Sequence, residues 1–456
     1  MKDGEKRGTW SSRFGYIMAA AGFSIGLGNI WRFPYLVGTM GGGAFVLVYA
    51  VICIIIGIPL FFMEVSLGRR AQLNPVQGMR SLTKKGSPWV SFGWLGVLSA
   101  FLILTYYCQI MGWIVSYFVR MVSGQLMNLD QAQASEIFRG FISDPTQLAT
   151  YMIIAMLIVG IISSLGLNSG LEKACSFMMP ALFIMIVILA IRSLTLPTAP
   201  GAKGAMEGLK WYLSVDFSKI NGEVLLKALG QTFFSIGIAS GGGFIYGSYL
   251  KRDSNIPEDA LMIIGFDTVA ALIAGLMIFP AIFALGMEPD SGPELLFVTM
   301  SNLFVHIPFG RVFGSMFFLL LFFAALTSAL GYLEPIVATM TELSKKERKK
   351  CVWVSLLLIL IVGFPSILSG GPLAGFTILG KSVFDFVDFL SGDVMMPLGA
   401  LVLSFYTIFE WKFEGFREEV NQGAVKLKVT KAWSPVINIL LPVVLLIILV
   451  RGLGIF

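Results

Sequence analysis

The chain has 456 residues, of which 56% are hydrophobic and only 13% are charged, and its mean hydropathy is +0.82. A soluble protein of this size needs about twice that charged fraction to cover its surface, so these values exclude a soluble protein. The net charge of +6 comes from basic residues that cluster between apolar segments. This pattern is typical of cytoplasmic loops and not of a nucleic-acid-binding surface.

The cysteines Cys53, Cys108, Cys175 and Cys351 lie far apart in or beside apolar segments, and His306 is the only histidine. Such spacing gives neither a disulfide framework nor a set of metal ligands. The sequence also contains no recognisable combination of nucleophile, base and orienting residue. A zinc site, a histidine-based catalytic site and a membrane enzyme are therefore not expected.

Eleven apolar segments are long enough to cross the hydrocarbon core of a bilayer, which is about 30 Å thick. We number these predicted spans in chain order: 12–36, 42–70, 88–122, 148–166, 170–194, 223–251, 258–287, 311–343, 350–367, 376–411 and 432–452. The basic loops indicate a cytoplasmic amino terminus, and an odd number of spans then places the carboxyl terminus outside. A secretory signal is the alternative for the first span. A cleaved signal, however, has no use for the motif Gly-Asn-Ile-Trp-Arg-Phe-Pro at 28–34.

The first and sixth spans share a short pattern, Phe-Ser-Ile-Gly-Leu at 23–27 and Phe-Ser-Ile-Gly-Ile at 234–238, and further glycines flank both copies. The copies lie five spans apart, so they cross the membrane in opposite directions, as in an inverted repeat. Each glycine costs a helix about 1 kcal/mol relative to alanine. The glycines are explained either by close helix packing or by a break in each helix.

A broken helix exposes N–H and C=O groups that hydrocarbon cannot satisfy. Helix amino ends attract a carboxylate, whereas freed carbonyls coordinate a cation. The hydroxyls of Ser24 and Ser235 would add oxygen ligands at the two breaks. The pattern therefore predicts a site in the middle of the membrane for an anionic and a cationic group together.

Ionisable side chains inside spans are costly and are functional candidates. Those that we single out are Arg32, Glu64, Asp267, Asp385 and Asp388, with Asn29 as a neutral companion. Glu64 could instead extend toward the membrane surface, and Asp385 and Asp388 could mark that surface. Asp267 lies too deep in its apolar segment for either explanation.

The eighth span carries two adjacent hydroxyls, Thr327 and Ser328, in the stretch Ala-Ala-Leu-Thr-Ser at 324–328. Such hydroxyls either bond back to their own helix or supply the hard oxygen ligands that an alkali cation needs. The residues alone leave both explanations open.

The sequence resembles the neurotransmitter:sodium symporter family through its first ten spans. The resemblance rests on Gly-Leu-Gly-Asn-Ile-Trp-Arg-Phe-Pro-Tyr at 26–35, Gly-Gly-Gly-Ala-Phe at 41–45, Gly-Gln-Thr-Phe-Phe-Ser at 230–235 and Phe-Ala-Ala-Leu-Thr-Ser at 323–328. It implies an all-α polytopic membrane protein with the LeuT fold. That fold has a 5+5 inverted repeat with broken helices 1 and 6, and eleven helices are typical of the bacterial branch. The repeats would cover 1–194 and 195–411, with a cytoplasmic loop and the last helix at 412–456.

The resemblance also implies site residues. One sodium ion would be bound by Ser24, Asn29, Ser235 and Asp267, and a second by Gly22, Ile25, Ala324, Thr327 and Ser328. The substrate would contact Ser24, Gly26, Leu27, Gly28, Ile103, Tyr107, Phe234, Ser235, Gly237, Ser240, Ser328 and Tyr332. Arg32 and Asp388 would form the outer gate, and Arg7, Trp10, Tyr249 and Glu342 the inner gate. Gly170 and Pro180 would let the fifth helix unwind and admit water to the second sodium ion.

Three departures from relatives are informative. Chloride-dependent members carry asparagine and serine at the positions of Asp267 and Ala271, so we expect chloride independence, with Asp267 a candidate for proton counter-movement. Gly26 replaces the aspartate of monoamine carriers, which favours zwitterionic amino acids. Gly237 and Ser240 replace larger groups and predict room for a large side chain.

The resulting expectation is sodium-coupled uptake of hydrophobic or aromatic L-amino acids across a bacterial inner membrane, with two sodium ions per substrate and no nucleic-acid partner. A proton-coupled carrier of the same fold is the nearest alternative, and an ion channel is a more distant one. A channel would need a continuous polar pore, usually built from several subunits, whereas the polar residues here converge on two breaks in one chain.

Overall fold

The computed structural model describes residues 8–127, 129–287 and 295–454, and these ranges form helices without a β-strand. The helical segments are Arg13–Ser24, Gly28–Arg32, Phe33–Thr39, Gly43–Ile52, Cys53–Gly57, Ile58–Ala71, Pro75–Leu82, Val90–Ser123, Gln131–Ile142, Pro145–Ser164, Leu167–Glu172, Lys173–Leu194, Ala205–Leu213, Phe217–Lys219, Gly222–Ile236, Gly242–Ser248, Ile256–Leu285, Leu295–Thr299, Met300–Val305, Gly310–Ser344, Arg348–Leu368, Val383–Asp388, Phe389–Met395, Met396–Tyr406, Thr407–Trp411, Lys412–Asn421, Lys431–Trp433, Val436–Leu440 and Leu441–Gly452.

Within the described ranges, nine continuous helices are long and apolar enough to cross a membrane, and a bent pair makes a tenth span. The pair joins Arg13–Ser24 to Gly28–Thr39 at an angle of 50°. The predicted sixth span is present as Gly222–Ile236 and Gly242–Ser248, and each half is too short to cross by itself. Helices therefore occupy all eleven predicted positions.

The first span breaks because its backbone leaves the helical conformation after Ser24. Ile25 is extended, with φ −76° and ψ 95°. A π-helical turn at Gly28–Arg32 then leads into Phe33–Thr39. Pro34 is the second residue of this last segment and directly follows the π-helical turn. The predicted break of the first helix is confirmed.

The sixth span breaks at three residues with left-handed backbone conformations. Gly237, Ala239 and Gly241 have φ values of 68°, 61° and 78°. Glycine adopts this region without strain, and Gly237 ends the first half-helix in the usual way. The break of the sixth helix is therefore confirmed too.

The third and eighth spans form the centre of the bundle. In both Val90–Ser123 and Gly310–Ser344, 78% of an apolar stretch of 18 residues is buried inside the protein. The corresponding share in Lys431–Gly452 is 22%. Arg13–Ser24 and Gly242–Ser248 pack directly on Gly310–Ser344. Both broken spans are therefore supported by the most buried helix, whereas the last span faces lipid.

Candidate substrate and ion site

The break of the first span lies beside a buried polar cluster formed by Asn29, Ser235, Asp267 and Tyr49. The Asn29 side-chain Nδ2 donates to Ser235 Oγ at 3.0 Å, to Asp267 Oδ1 at 2.9 Å and to the Asp267 carbonyl at 3.0 Å. Ser235 Oγ donates to the two Asp267 carboxylate oxygens at 3.0 and 2.9 Å. The Tyr49 hydroxyl donates to Asp267 Oδ2 at 3.3 Å. Three residues that the sequence assigned to one sodium site therefore meet at one point.

This cluster is chemically suited to a hard cation. The described residues contain no group of three or more His, Cys, Asp or Glu side chains that could hold a metal ion, so the ligands here are one carboxylate with amide and hydroxyl oxygens. Alkali cations prefer such oxygen donors, whereas transition metals prefer imidazole and thiolate. Asn29 Oδ1 accepts the Gly26 N–H at 3.1 Å, which ties the cluster to the broken backbone.

A second group of oxygens lies where the first and eighth spans touch. Ser328 Oγ donates across to the carbonyls of Gly22 and Phe23 at 3.3 and 3.1 Å. Thr327 Oγ1 instead bonds back to its own helix, at 3.0 Å from Phe323 O and 3.1 Å from Ala324 O. Thr327 therefore bonds back to its own helix in this conformation, whereas Ser328 bonds to the first span. The predicted role of both hydroxyls as cation ligands stays a prediction.

Gly22 allows this close approach. A Cβ atom there would lie 3.0 Å from Thr327 Cβ and 3.1 Å from Met179 Sδ, closer than carbon and sulfur normally approach. Ile25 and Ala324, the other predicted ligands of the second ion, are fully buried on the first and eighth spans. The five residues predicted for the second site thus lie on two touching helices.

The predicted carboxylate-binding region surrounds Gly26 and Gly28. A Cβ at Gly26 would lie 2.5 Å from Ser328 Oγ and 3.1 Å from the Tyr107 hydroxyl, and one at Gly28 would lie 2.9 Å from Phe234 Cδ1. Position 26 therefore has no room for an aspartate. The Tyr107 hydroxyl is buried without a hydrogen-bond partner among the described residues, and a buried donor of this kind needs an acceptor.

The remaining predicted substrate contacts are apolar or turned inward. Ile103 and Tyr332 are buried, and Tyr332 packs at 6.1 Å from the Tyr107 ring. Ser240 Oγ donates to the Gly237 carbonyl at 2.6 Å, so this hydroxyl bonds within the break of the sixth span. The space beside Gly237 is filled by Phe23, whose Cε1 would lie 2.7 Å from a Cβ at that position. The space in which a side chain at position 237 would lie is therefore already filled, and the predicted room for a large substrate side chain stays a prediction.

A cavity of about 230 Å³ lies above the break of the first span. Its walls include Leu27, Tyr107 and Phe234 together with the two predicted outer-gate residues, Arg32 and Asp388. The Arg32 guanidinium carbon lies 4.8 Å from the centre of the Phe234 ring. Among the described residues, Arg32 and Asp388 form no ion pair with each other. The two predicted outer-gate residues are therefore not joined in this conformation.

The opposite side of the site is closed by aromatic packing. Trp10 Nε1 donates to the Tyr246 carbonyl at 3.0 Å, and the two rings pack edge to face at 5.2 Å. The Tyr249 hydroxyl donates to Glu334 Oε1 at 2.7 Å. Arg348 pairs with the same carboxylate at 2.6 and 2.8 Å. Trp10 and Tyr249, which the sequence assigned to the inner gate, therefore lie in a closed layer on the side of the amino terminus.

The other inner-gate predictions have different outcomes. Glu342 accepts hydrogen bonds from Asn74 N at 3.1 Å and Asn74 Nδ2 at 2.5 Å, and it is Glu334 that meets Tyr249. Arg7 lies outside the described residues. Their gating role stays a prediction.

The fifth span begins in a π-helical turn, Leu167–Glu172, and continues as a helix from Lys173 to Leu194. The turn includes Gly170, where a Cβ would collide with the Ile162 carbonyl. Pro180 lies inside the helical part, so the fifth span is wound in this conformation. Its unwinding stays a prediction.

Glu64 supports the break of the sixth span. This side chain is fully buried and accepts the Ala239 N–H at 2.9 Å and the Phe244 N–H at 3.3 Å. Both N–H groups flank the break, where the helix supplies no acceptor. The alternative that Glu64 extends toward the membrane surface is therefore wrong.

Sequence reasoning overlooked Glu334 and Glu172. Glu172 is buried and accepts the N–H groups of Ser11 and Ser12 at 2.9 and 3.2 Å, so it holds the start of the first helix. Both carboxylates lie within predicted spans, and the rule that drew attention to Asp267 would have found them. Arg348 lies just before a predicted span and gave no comparable signal.

Comparisons with known proteins agree with this geometry. The sequence profile described as the sodium:neurotransmitter symporter family matches residues 7–137 and 130–456. The sodium-dependent transporter YhdH of Bacillus subtilis is 39% identical over 447 residues, which cover 98% of both chains. A sodium-dependent transporter of Haemophilus influenzae is 36% identical over 98% of this chain and 99% of its own.

The solved structure of MhsT in complex with L-phenylalanine superposes with a TM-score of 0.89 at 38% identity, over 98% of this chain and 100% of that chain. This neighbour supports the LeuT fold that the sequence predicted. Members of the matching family are secondary transporters and not enzymes. The chain therefore belongs to the sodium:neurotransmitter symporter family and is a multi-pass, sodium-dependent membrane transporter.

Proposed function

We propose that this transporter couples the inward movement of two sodium ions to the uptake of one hydrophobic or aromatic L-amino acid. The observation that carries the proposal is the arrangement at the first break. The buried Tyr107 hydroxyl, which has no hydrogen-bond partner among the described residues, lies beside Gly26. The Gly26 N–H bonds to Asn29, which belongs to the carboxylate cluster with Ser235 and Asp267. The carboxylate of an amino acid can accept a hydrogen bond from the Tyr107 hydroxyl. The same carboxylate can complete the coordination shell of a sodium ion.

An amide rotation would accompany ion binding at the first site. In this conformation Asn29 turns its nitrogen toward Asp267 and its oxygen toward the Gly26 N–H. A sodium ion beside Asp267 needs the oxygen instead, and the rotation releases the Gly26 N–H for a substrate carboxylate. Ion binding and substrate binding would then assist each other.

Tyr107 and the aromatic lining favour an apolar amino acid. No acidic side chain fits at Gly26, so a lone amine would have no partner there. Ile103, Phe234 and Tyr332 supply apolar walls, as is usual for small-molecule sites. The neighbour MhsT binds L-phenylalanine, which supports the same substrate class.

Two sodium ions supply enough free energy for concentrative uptake. Each charge that moves inward gains about 2.3 kcal/mol per 100 mV. Two ions therefore supply about 4.6 kcal/mol, which corresponds to roughly three decades of accumulation. Counter-movement of a proton through Asp267 would reduce this value.

The fixed carboxylate of Asp267 supports chloride independence. Tyr49 and Ser235 bond directly to this carboxylate, so an anion at the same place would be repelled by a like charge. Replacing chloride by gluconate should leave uptake unchanged. The positive charges between spans support a cytoplasmic amino terminus and an external carboxyl terminus, and we propose that the membrane is a bacterial inner membrane.

Uptake of labelled tryptophan and leucine into proteoliposomes tests the proposal. An inward sodium gradient should drive accumulation of at least one of them above equilibrium, and an equal potassium gradient should not. Accumulation driven by a pH gradient alone would favour the proton-coupled carrier. Currents far larger than stoichiometric coupling allows would indicate a channel.

A further inference from the structure

Phe23 occupies a cradle built by three glycines on three different elements. These glycines are Gly237 in the break of the sixth span, Gly242 at the start of its second half, and Gly331 in the eighth span. A Cβ at each would lie 2.7 Å from Phe23 Cε1, 2.5 Å from Cε1 and 2.8 Å from Cγ, respectively. Carbon atoms normally approach to about 3.5–4.0 Å, so the ring fills all the space that the three missing side chains leave.

The ring lies between residues predicted to contact the substrate. It packs edge to face on Tyr332 at 4.9 Å, and Tyr332 packs on Tyr107 at 6.1 Å. Gly237 bounds its other side. Phe23 itself is only 3% exposed and lies one residue before the end of the helix Arg13–Ser24. The ring therefore adjoins two of the predicted substrate contacts, Tyr332 and Gly237.

We propose that Phe23 determines the depth of the substrate pocket and hence the largest side chain that is transported. This inference rests on the proposed amino-acid transport. Because the cradle fixes the ring from three sides, a substrate side chain cannot enter that space while the ring is present. A smaller residue at position 23 would open it, and a larger residue in the cradle would push the ring toward the substrate.

Phe23 also packs on Tyr246 at 5.8 Å, and Tyr246 packs on Trp10. Phe23 could therefore have a second role, in closing the cytoplasmic side of the site. The two roles differ in their effect on substrates, because a closing role alters uptake of all amino acids alike. Only a pocket role changes the ratio of kcat/KM between large and small substrates.

The test measures sodium-driven uptake of alanine, leucine and tryptophan by Phe23→Leu, Gly331→Ala and the double variant. We expect Phe23→Leu to raise the tryptophan-to-leucine ratio of kcat/KM about tenfold, since a buried methylene is worth about 10-fold or more. Gly331→Ala should lower the same ratio, and Phe23→Leu should restore it in the double variant. Phe62→Leu is the matched control, because Phe62 is also buried but packs on Trp433.

Unchanged ratios in both single variants would overturn the inference, as would loss of all uptake that the double variant does not restore. In either case sodium-driven uptake by the wild-type protein would still support the proposed function. If the wild-type protein itself transports none of the three amino acids with sodium, the proposed function fails instead, and the role of Phe23 in it falls with it.

Discussion

The two broken helices are held open by different chemistry. At the sixth break, Glu64 accepts the N–H groups of Ala239 and Phe244 directly. At the first break, the partners are neutral side chains: Asn29 accepts from Gly26, and Gln231 Nε2 donates to the Gly28 carbonyl at 2.7 Å. One break is stabilised by a carboxyl group that accepts two backbone N–H groups, and the other by amide groups that can exchange for a ligand.

This difference separates support from binding. A carboxylate that already receives two N–H groups has little to gain from releasing them, because an unsatisfied buried N–H costs about 1–3 kcal/mol. An amide or a hydroxyl can rotate and offer an oxygen to a cation at a smaller cost. We infer that the sixth break is a fixed wall and that the first break is where ions and substrate bind. The predictions below test this division.

The largest expected effect follows from Asp267→Asn. The change removes the charge beside Asn29 and Ser235 but keeps the size of the side chain. We expect the sodium concentration for half-maximal uptake to rise about 100-fold, which corresponds to about 2.7 kcal/mol. Sodium titration of uptake measures this shift.

Asp216→Asn is the matched control, because Asp216 lies in an exposed loop and accepts only local hydrogen bonds from Ser218. An unchanged sodium requirement in Asp267→Asn would exclude this carboxylate from the ion site.

Glu64→Gln should instead lower stability. The amide keeps one acceptor oxygen, so one of the two N–H groups at Ala239 and Phe244 loses its partner, at a cost of about 2 kcal/mol. The thermal midpoint of the detergent-solubilised protein should fall by several degrees, while the sodium requirement of the folded fraction should stay near wild type. A change in sodium requirement without loss of stability would contradict the division between the two breaks.

The sequence predicted the helices well because long apolar runs and mid-span glycines are strong local signals. The breaks at Gly26 and Gly237 could be located from glycines alone. The contents of the space beside Gly237 could not, because the ring that fills it belongs to Phe23, on another helix. Composition does not reveal which side chain enters a gap.

The candidate site shows the same limit. Asn29, Ser235 and Asp267 were found because polar groups in spans are rare and the family motifs mark two of them. Glu334 was not linked to Tyr249, because the pairing depends on how the sixth and eighth spans pack. The sequence likewise could not predict that Ser328 bonds to the first span while Thr327 bonds back to its own helix, since the two hydroxyls are neighbours in the chain and differ only in the direction they face.

Ser328→Ala should have a smaller effect than Asp267→Asn. Ser328 Oγ contacts the carbonyls of Gly22 and Phe23 on the first span, and a neutral ligand is worth about 1 kcal/mol. We expect about a fivefold rise in the sodium concentration for half-maximal uptake. Ser315→Ala is a suitable control, because its exposed hydroxyl on the same helix bonds back to Arg311 O. Equal effects of both changes would argue against a second ion beside Ser328.

The smallest expected effect follows from Trp10→Phe, which removes one hydrogen bond between the first span and the fixed half of the sixth. The Trp10 N–H donates to the Tyr246 carbonyl at 3.0 Å, and such a bond contributes about 1 kcal/mol net. Opening of the closed layer that contains Trp10 should become about fivefold more frequent. Cys175 is fully buried in the fifth span, which packs on Arg13–Ser24, so its maleimide labelling rate without sodium should rise by that factor.

Cys351, buried at the start of the ninth span, is the internal control in the same sample. A rise at both cysteines would indicate general loosening, whereas a rise at Cys175 alone, suppressed by sodium, would show that the first span moves against a fixed sixth break.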